Sequence, residues 1–144
     1  MNFLSVLCAT AALFTSLFLF ADTAENRFTE GMLQASAAAS KAWLSLLDRG
    51  QYEQSWDQAS SIMKMTISKD EWNTIMNKVR KPLGTVVSRE VLDQRTATNP
   101  QGLPQGSYIV MFYKTAFSAR PSAHELVTLY LEDGEWKVLT YQVS

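Results

Sequence analysis

The sequence predicts an α+β domain: three N-terminal helices packed on a curved four-stranded antiparallel sheet. Three observations carry this. Apolar residues recur every three or four positions from Met32 to Leu47, the period of a helix. After Gly84 the period falls to two, that of a half-buried strand. Asp133-Gly134, between Glu132 and Glu135, is a two-residue hairpin signal. A run of helices followed by a run of strands gives α+β rather than alternating α/β.

The first helix is predicted from about Thr23 to Arg49, with Met32, Ala35, Ala39, Ala42, Trp43, Leu46 and Leu47 on one stripe. The Ala-Ser run Ala35 to Ser40 makes its middle thin, so another element can approach closely. Gly50 takes positive φ cheaply and closes the helix. Tyr52 and Trp56 lie one turn apart on a second helix, Tyr52 to Ser60. Ile62 to Ile67 reads as an apolar connector. Ser68 and Glu71 form a capping box that starts a third helix, with Trp72, Ile75, Met76 and Val79 on one face. Lys78, Arg80 and Lys81 close it, where cations suit the macrodipole. Pro82 and Gly84 end it.

The strands are predicted at Thr85–Thr98, Ser107–Ser118 and Ala123–Glu132, with the last one after Gly134. Val87, Val91 and Leu92 are expected to be partly buried. Tyr108 to Tyr113 is apolar on both sides, so its strand is expected to be central and covered on both faces. Ala119 to Ser122 reads as the turn after it. A two-residue hairpin sets Leu131 opposite Trp136, Leu129 opposite Val138 and Val127 opposite Thr140 on the inner face. Leu126, Tyr130, Leu139 and Tyr141 then share the outer face. The predicted core is Trp43, Leu46, Leu47, Tyr52, Trp56, Trp72 and Trp136, and the sheet must curl for Trp43 and Trp136 both to be buried.

Several separated motifs resemble one family. Ala42-Trp43-Leu44 leads to Asp48-x-Gly50-x-Tyr52-x-x-Ser55-Trp56, then Trp72, Arg80-x-Pro82-Leu83-Gly84 and Ser88-Arg89. Gly106-x-Tyr108, Glu125, Asp133-Gly134-x-Trp136-x-Val138 and Tyr141 continue the series. Together they are similar to domain of unknown function 4019, over roughly Ala38 to Val143. The resemblance implies the cystatin-like, nuclear-transport-factor-2-like cone and an exported bacterial protein. It transfers no catalytic residue.

The chain has 144 residues and a formal net charge of −1. That length reads as one domain, and the balanced charge gives no electrostatic reason for a nucleic-acid partner. Residues 1–21 read as a signal peptide or N-terminal anchor, and 22–144 as a single α+β cone domain. Phe3 to Phe20 is uncharged and apolar, which implies export to the periplasm or beyond. Membrane association is expected only if that segment stays uncleaved. Cys8, the only cysteine, lies inside it, so the domain has no disulfide and no thiol nucleophile. One histidine and no other cysteine argue against a metal site, and no cofactor is implied.

No catalytic motif is present. Ser122, His124 and Glu125 lack the convergence that a nucleophilic triad needs. Asp48 and Asp57 read as solvent-facing or capping groups, and Asp93 as part of an exposed, salt-laced strand with Arg89, Glu90 and Arg95. Glu125 is the one catalytic candidate: a cone can hold a carboxylate in an apolar pocket for proton transfer. A cross-strand pair with Arg89 or Lys114 explains it as well. The favoured reading is a non-enzymatic domain that binds a protein partner or a small apolar ligand. The alternative is a small enzyme of the isomerase or hydratase type. The outer-face residues Tyr130, Leu139, Tyr141 and Leu126 are expected to bind a partner or ligand, with a homodimer as the commonest solution.

Overall fold

In the computed structural model, which describes residues 28–144, side-chain caps start three of the four α-helices found among those residues. The chain divides into two units, Met1–Leu33 and Gln34–Ser144. In the first, helix α1 (Glu30–Asp48) begins after Thr29, whose hydroxyl accepts from the Met32 amide at 3.2 Å. The readings of Phe3–Phe20, of Cys8 and of a helical start at Thr23 lie outside the described residues. All that follows concerns the second unit.

Helix α1 ends in a Schellman motif. Gly50 sits at φ 69°; its amide donates to Leu47 O at 3.0 Å, and that of Gln51 to Leu46 O at 2.8 Å. Short helices follow: α2 (Tyr52–Asp57), α3 (Ser61–Thr66) and α4 (Lys69–Val79). The apolar connector expected at Ile62–Ile67 is therefore mostly helix. Extended Ser60 caps it, its hydroxyl accepting from the Met63 amide at 3.2 Å. The Ser68–Glu71 capping box forms as read from the sequence. A 3-10 turn, Lys81–Leu83, leads into the sheet through Gly84 at φ 80°.

Strands β1 (Val86–Thr98), β2 (Ser107–Phe117), β3 (Arg120–Glu132) and β4 (Glu135–Val143) pair antiparallel in the order β1-β2-β3-β4. The fold class is the predicted one, helices packed on a four-stranded antiparallel sheet. Two details differ. The β2–β3 turn is only Ser118-Ala119, so β3 starts earlier, at Arg120. The outer side of β2 is only half-covered: Val110 and Phe112 are half-buried and Lys114 is exposed. Val87, Val91 and Leu92, expected to be partly buried, are 71, 55 and 53% exposed. They belong to β1, an edge strand with no neighbour on its far side among the described residues, where apolar character does not entail cover.

One bulge changes which residues face inward. Leu131 opposes Trp136, Tyr130 opposes Lys137 and Leu129 opposes Val138, as the hairpin predicts, but Thr128 then opposes Thr140. Leu139 is the extra residue, and beyond it the register moves by one. Val127 opposes Tyr141 rather than Thr140, so Tyr141 points to the helices. The predicted outer face of Leu126, Tyr130, Leu139 and Tyr141 therefore does not exist as a patch. Tyr141 and Leu139 are 8 and 6% exposed, and the surface that argued for a homodimer loses half its large side chains.

The core lies between the helices and the inner sheet face. Trp43, Leu46, Leu47, Tyr52 and Trp72 are buried with Ile109, Met111, Val127, Leu129 and Val138. The indole of Trp43 donates to Ser55 O at 2.8 Å and that of Trp72 to Ser55 Oγ at 2.9 Å, so one serine holds both rings. Trp56 and Trp136, expected in the core, are half-buried. Trp56 is a surface bracket: its indole donates to Ile67 O at 2.9 Å, and Lys64 and Lys69 lie over its ring.

Candidate functional site

Each of the four strands sends one polar side chain to the same inward point. Register brings Arg89 opposite Thr115, Tyr113 opposite Glu125 and Val127 opposite Tyr141, which sets Arg89, Thr115, Glu125 and Tyr141 on a diagonal of the inner face. Glu125 is 1% exposed. Its Oε2 accepts from Arg89 Nε at 2.6 Å and from Thr115 Oγ1 at 2.6 Å. Its Oε1 accepts from Tyr141 Oη at 2.7 Å and from Arg89 Nη2 at 3.2 Å.

The helices complete the cluster. Asp48 is the last residue of α1, and its carboxylate takes the far side of Arg89, Nη1 to Oδ2 at 2.8 Å and Nη2 to Oδ1 at 2.9 Å. Arg80, just after α4, donates from Nη2 to Asp48 Oδ1 at 2.9 Å and from Nη1 to Gly84 O at 2.9 Å. Its guanidinium lies 4.4 Å from the Phe117 ring centroid. Two carboxylates thus face two guanidiniums, so the fully buried charges of Glu125 and Arg80 each have an opposite charge or a shared partner within the cluster.

Burial alone would raise the Asp48 carboxyl. The hydrogen bonds and charges of Arg89 and then Arg80 outweigh it and hold the group below its ordinary value. Burial opposes the charge of Arg89, but Asp48 and Glu125 raise its pKa further. The Tyr141 phenol is pushed well up, first by burial and then by the adjacent Glu125 carboxylate.

The family model described as "Protein of unknown function (DUF4019)" matches residues 39–141. The chain belongs to the DUF4019 family. No curated protein matches it. A solved structure from Campylobacter jejuni, described as a "Putative NTF2-like transpeptidase", is similar at 16% identity and a TM-score of 0.49, covering 70% of this chain and 94% of that one.

Asp48, Arg80, Arg89, Glu125 and Tyr141 all belong to the motifs on which the DUF4019 resemblance was read, and folding gathers them into one cluster. Of the two partners weighed for Glu125, Arg89 is the one that meets it; Lys114 opposes His124 and is exposed. His124 and Ser122 are likewise exposed. Asp57 pairs with Lys69 at 2.6 Å, and Asp93 with Arg95 at 2.7 Å on the exposed strand. Asp48 is exposed as expected, yet its carboxylate, 26% exposed, also pairs with two arginines, and Arg80 does not simply close a helix in water: its side chain is 2% exposed. The signal for Arg80 was its spacing, since Trp72, Met76 and Arg80 fall at successive four-residue steps on one face. Thr115 could have been found by alternation with Tyr113.

Away from this cluster, a groove of about 450 Å³ opens between α3, the start of α4, the β1–β2 loop and the bulged part of β4. Ile62, Ile67, Trp72, Leu103, Leu139 and Tyr141 supply most of its wall. Leu139 therefore belongs to this groove, while Leu126 and Tyr130 stay half-buried on the outer face. Among the described residues no group of His, Cys, Asp and Glu is placed to hold a metal ion, and no helix is long and apolar enough to cross a membrane.

Proposed function

We propose that this DUF4019 chain is a non-enzymatic binding domain that takes a small apolar ligand in the groove at Leu103 and Leu139. We place it outside the cytoplasm, exported through the apolar segment Phe3 to Phe20. The observation that carries the binding reading is the saturation of Glu125. A carboxylate offers about four acceptor positions, and four donors occupy them here. A general acid or base must reach its substrate within hydrogen-bond distance, and every lone pair of Glu125 already faces a protein donor. The cluster locks the end of α1 and the start of the sheet to all four strands; it has no free valence for proton transfer.

The groove has what the cluster lacks. Its volume falls within the roughly 300–1,000 Å³ of small-molecule sites, and its wall is mostly hydrocarbon. The ion cluster serves it indirectly, because Tyr141 is both a wall of the groove and a donor to Glu125. The test is titration of the full chain with the neutral fluorophore N-phenyl-1-naphthylamine. One saturable site per chain is expected, abolished by Leu103→Asp, a change at a loop residue 43% exposed. Absence of binding, or binding unchanged in Leu103→Asp, would overturn the proposal.

A further inference from the structure

The groove does not end at Ile67. A second depression of about 570 Å³ lies on the other side of Thr66 and Ile67, floored by Ile75, which is 42% exposed. Both depressions include Thr66 and Ile67 in their walls, so they abut. The ridge between them is held in place: Ile67 O accepts from the Trp56 indole and Ile67 N donates to Met63 O at 3.0 Å.

The polar ends of three wall residues are used elsewhere. The Trp72 indole donates to Ser55, the Tyr141 hydroxyl to Glu125 and Thr66 Oγ1 to Ile62 O at 2.8 Å. What these residues present to the groove is therefore hydrocarbon. Neither depression is lined by Lys, Arg or His, and the two charged residues at the second, Asp70 and Glu71, are both acidic. Nothing there would neutralise an anionic group, and two carboxylates would repel it.

Resting on the binding reading above, we infer that the occupant is a linear apolar chain, long enough to cross the Thr66–Ile67 ridge and carrying no anionic group. Its tail lies against Leu103 and Leu139, and its other half lies over Ile75. Fatty carboxylates and alkyl sulfates are excluded by charge.

The experiment displaces N-phenyl-1-naphthylamine from the full chain with alkyl maltosides, alkyltrimethylammonium ions and alkyl sulfates of six to twelve carbons, each below its micellar concentration. Affinity should rise about fourfold per methylene for the first two series, the value expected for burying each CH₂. In Ile75→Asp the gain should stop at a shorter chain length than in wild type, with short chains unaffected. Alkyl sulfates should bind at least tenfold more weakly than maltosides of equal length. An equal plateau length in wild type and Ile75→Asp overturns the extension across the ridge. Alkyl sulfates as tight as maltosides overturn the charge selection. In both cases loss of all displacement in Leu103→Asp would leave the groove itself as the site. Displacement undiminished in Leu103→Asp would instead sink the binding reading on which this inference rests.

Discussion

Replacing Glu125 with glutamine separates a structural cluster from a catalytic one. The substitution keeps the shape and removes the charge, and one carboxylate oxygen becomes an NH₂. If the NH₂ takes the Oε1 position, Tyr141 can turn its hydroxyl to accept, and Arg89 Nη2 loses its weaker contact of 3.2 Å. If it takes the Oε2 position, it opposes Arg89 Nε across 2.6 Å, and a guanidinium cannot accept. The first orientation wins. Even so, a nearly buried guanidinium, its side chain 15% exposed, is left with Asp48 as its only full counter-charge. Breaking a buried pair costs 3–5 kcal/mol, and the surviving Asp48 contact places this change at the lower end, about 3 kcal/mol. With a urea m-value of about 2 kcal/mol/M the midpoint should fall by about 1.5 M. The assay is urea unfolding followed by tryptophan fluorescence. A fall below about 0.5 M, with m unchanged, would mean that the carboxylate is not needed for the fold, and the argument from saturation would collapse.

Tyr141→Phe keeps the ring that walls the groove and removes one hydrogen bond to a buried carboxylate; a loss of about 1.5–3 kcal/mol is expected by the same urea assay. Trp43→Ala should cost about 3–5 kcal/mol, and Trp136→Ala clearly less because that ring is half-buried; equal losses would contradict the packing. Asp48, held below its ordinary pKa, contributes stability that is present above the unfolded value of about 4 and lost as pH falls through the folded one. Urea midpoints should therefore drop below about pH 4, and Asp48→Asn should flatten that drop. Tyr141 acts at the other end: its raised pKa means stability is kept below about pH 10 and lost above it. Gly84→Ala should destabilise by more than about 1 kcal/mol, read by thermal melting, because φ is +80° and the new Cβ would collide with Ser118 Oγ.

The elements and the fold class are legible in the chain because they rest on short-range physics. Ser68 and Glu71 cap a helix whatever lies beyond them, Gly50 can close one, and Asp133-Gly134 turns the chain back in two residues. Hairpin register is likewise local for the first pairs after the turn, which is why Leu131 and Trp136 were matched correctly. It was lost at Leu139, where two neighbouring residues are both buried and one must be accommodated as a bulge. Nothing within the strand announces that choice; it depends on what packs against β4 from α3 and on the hydroxyl of Tyr141 finding Glu125. The cluster shows the same division. Glu125 and Arg89 were legible as a cross-strand pair, since both lie on strands whose alternation can be read. Asp48 reads as a solvent-facing or capping group and Arg80 as a cation closing its helix, because a charged residue at a helix end has a sufficient local explanation. Only the tertiary structure brings those two helix ends over the same strand face, where low dielectric makes each charge depend on the others.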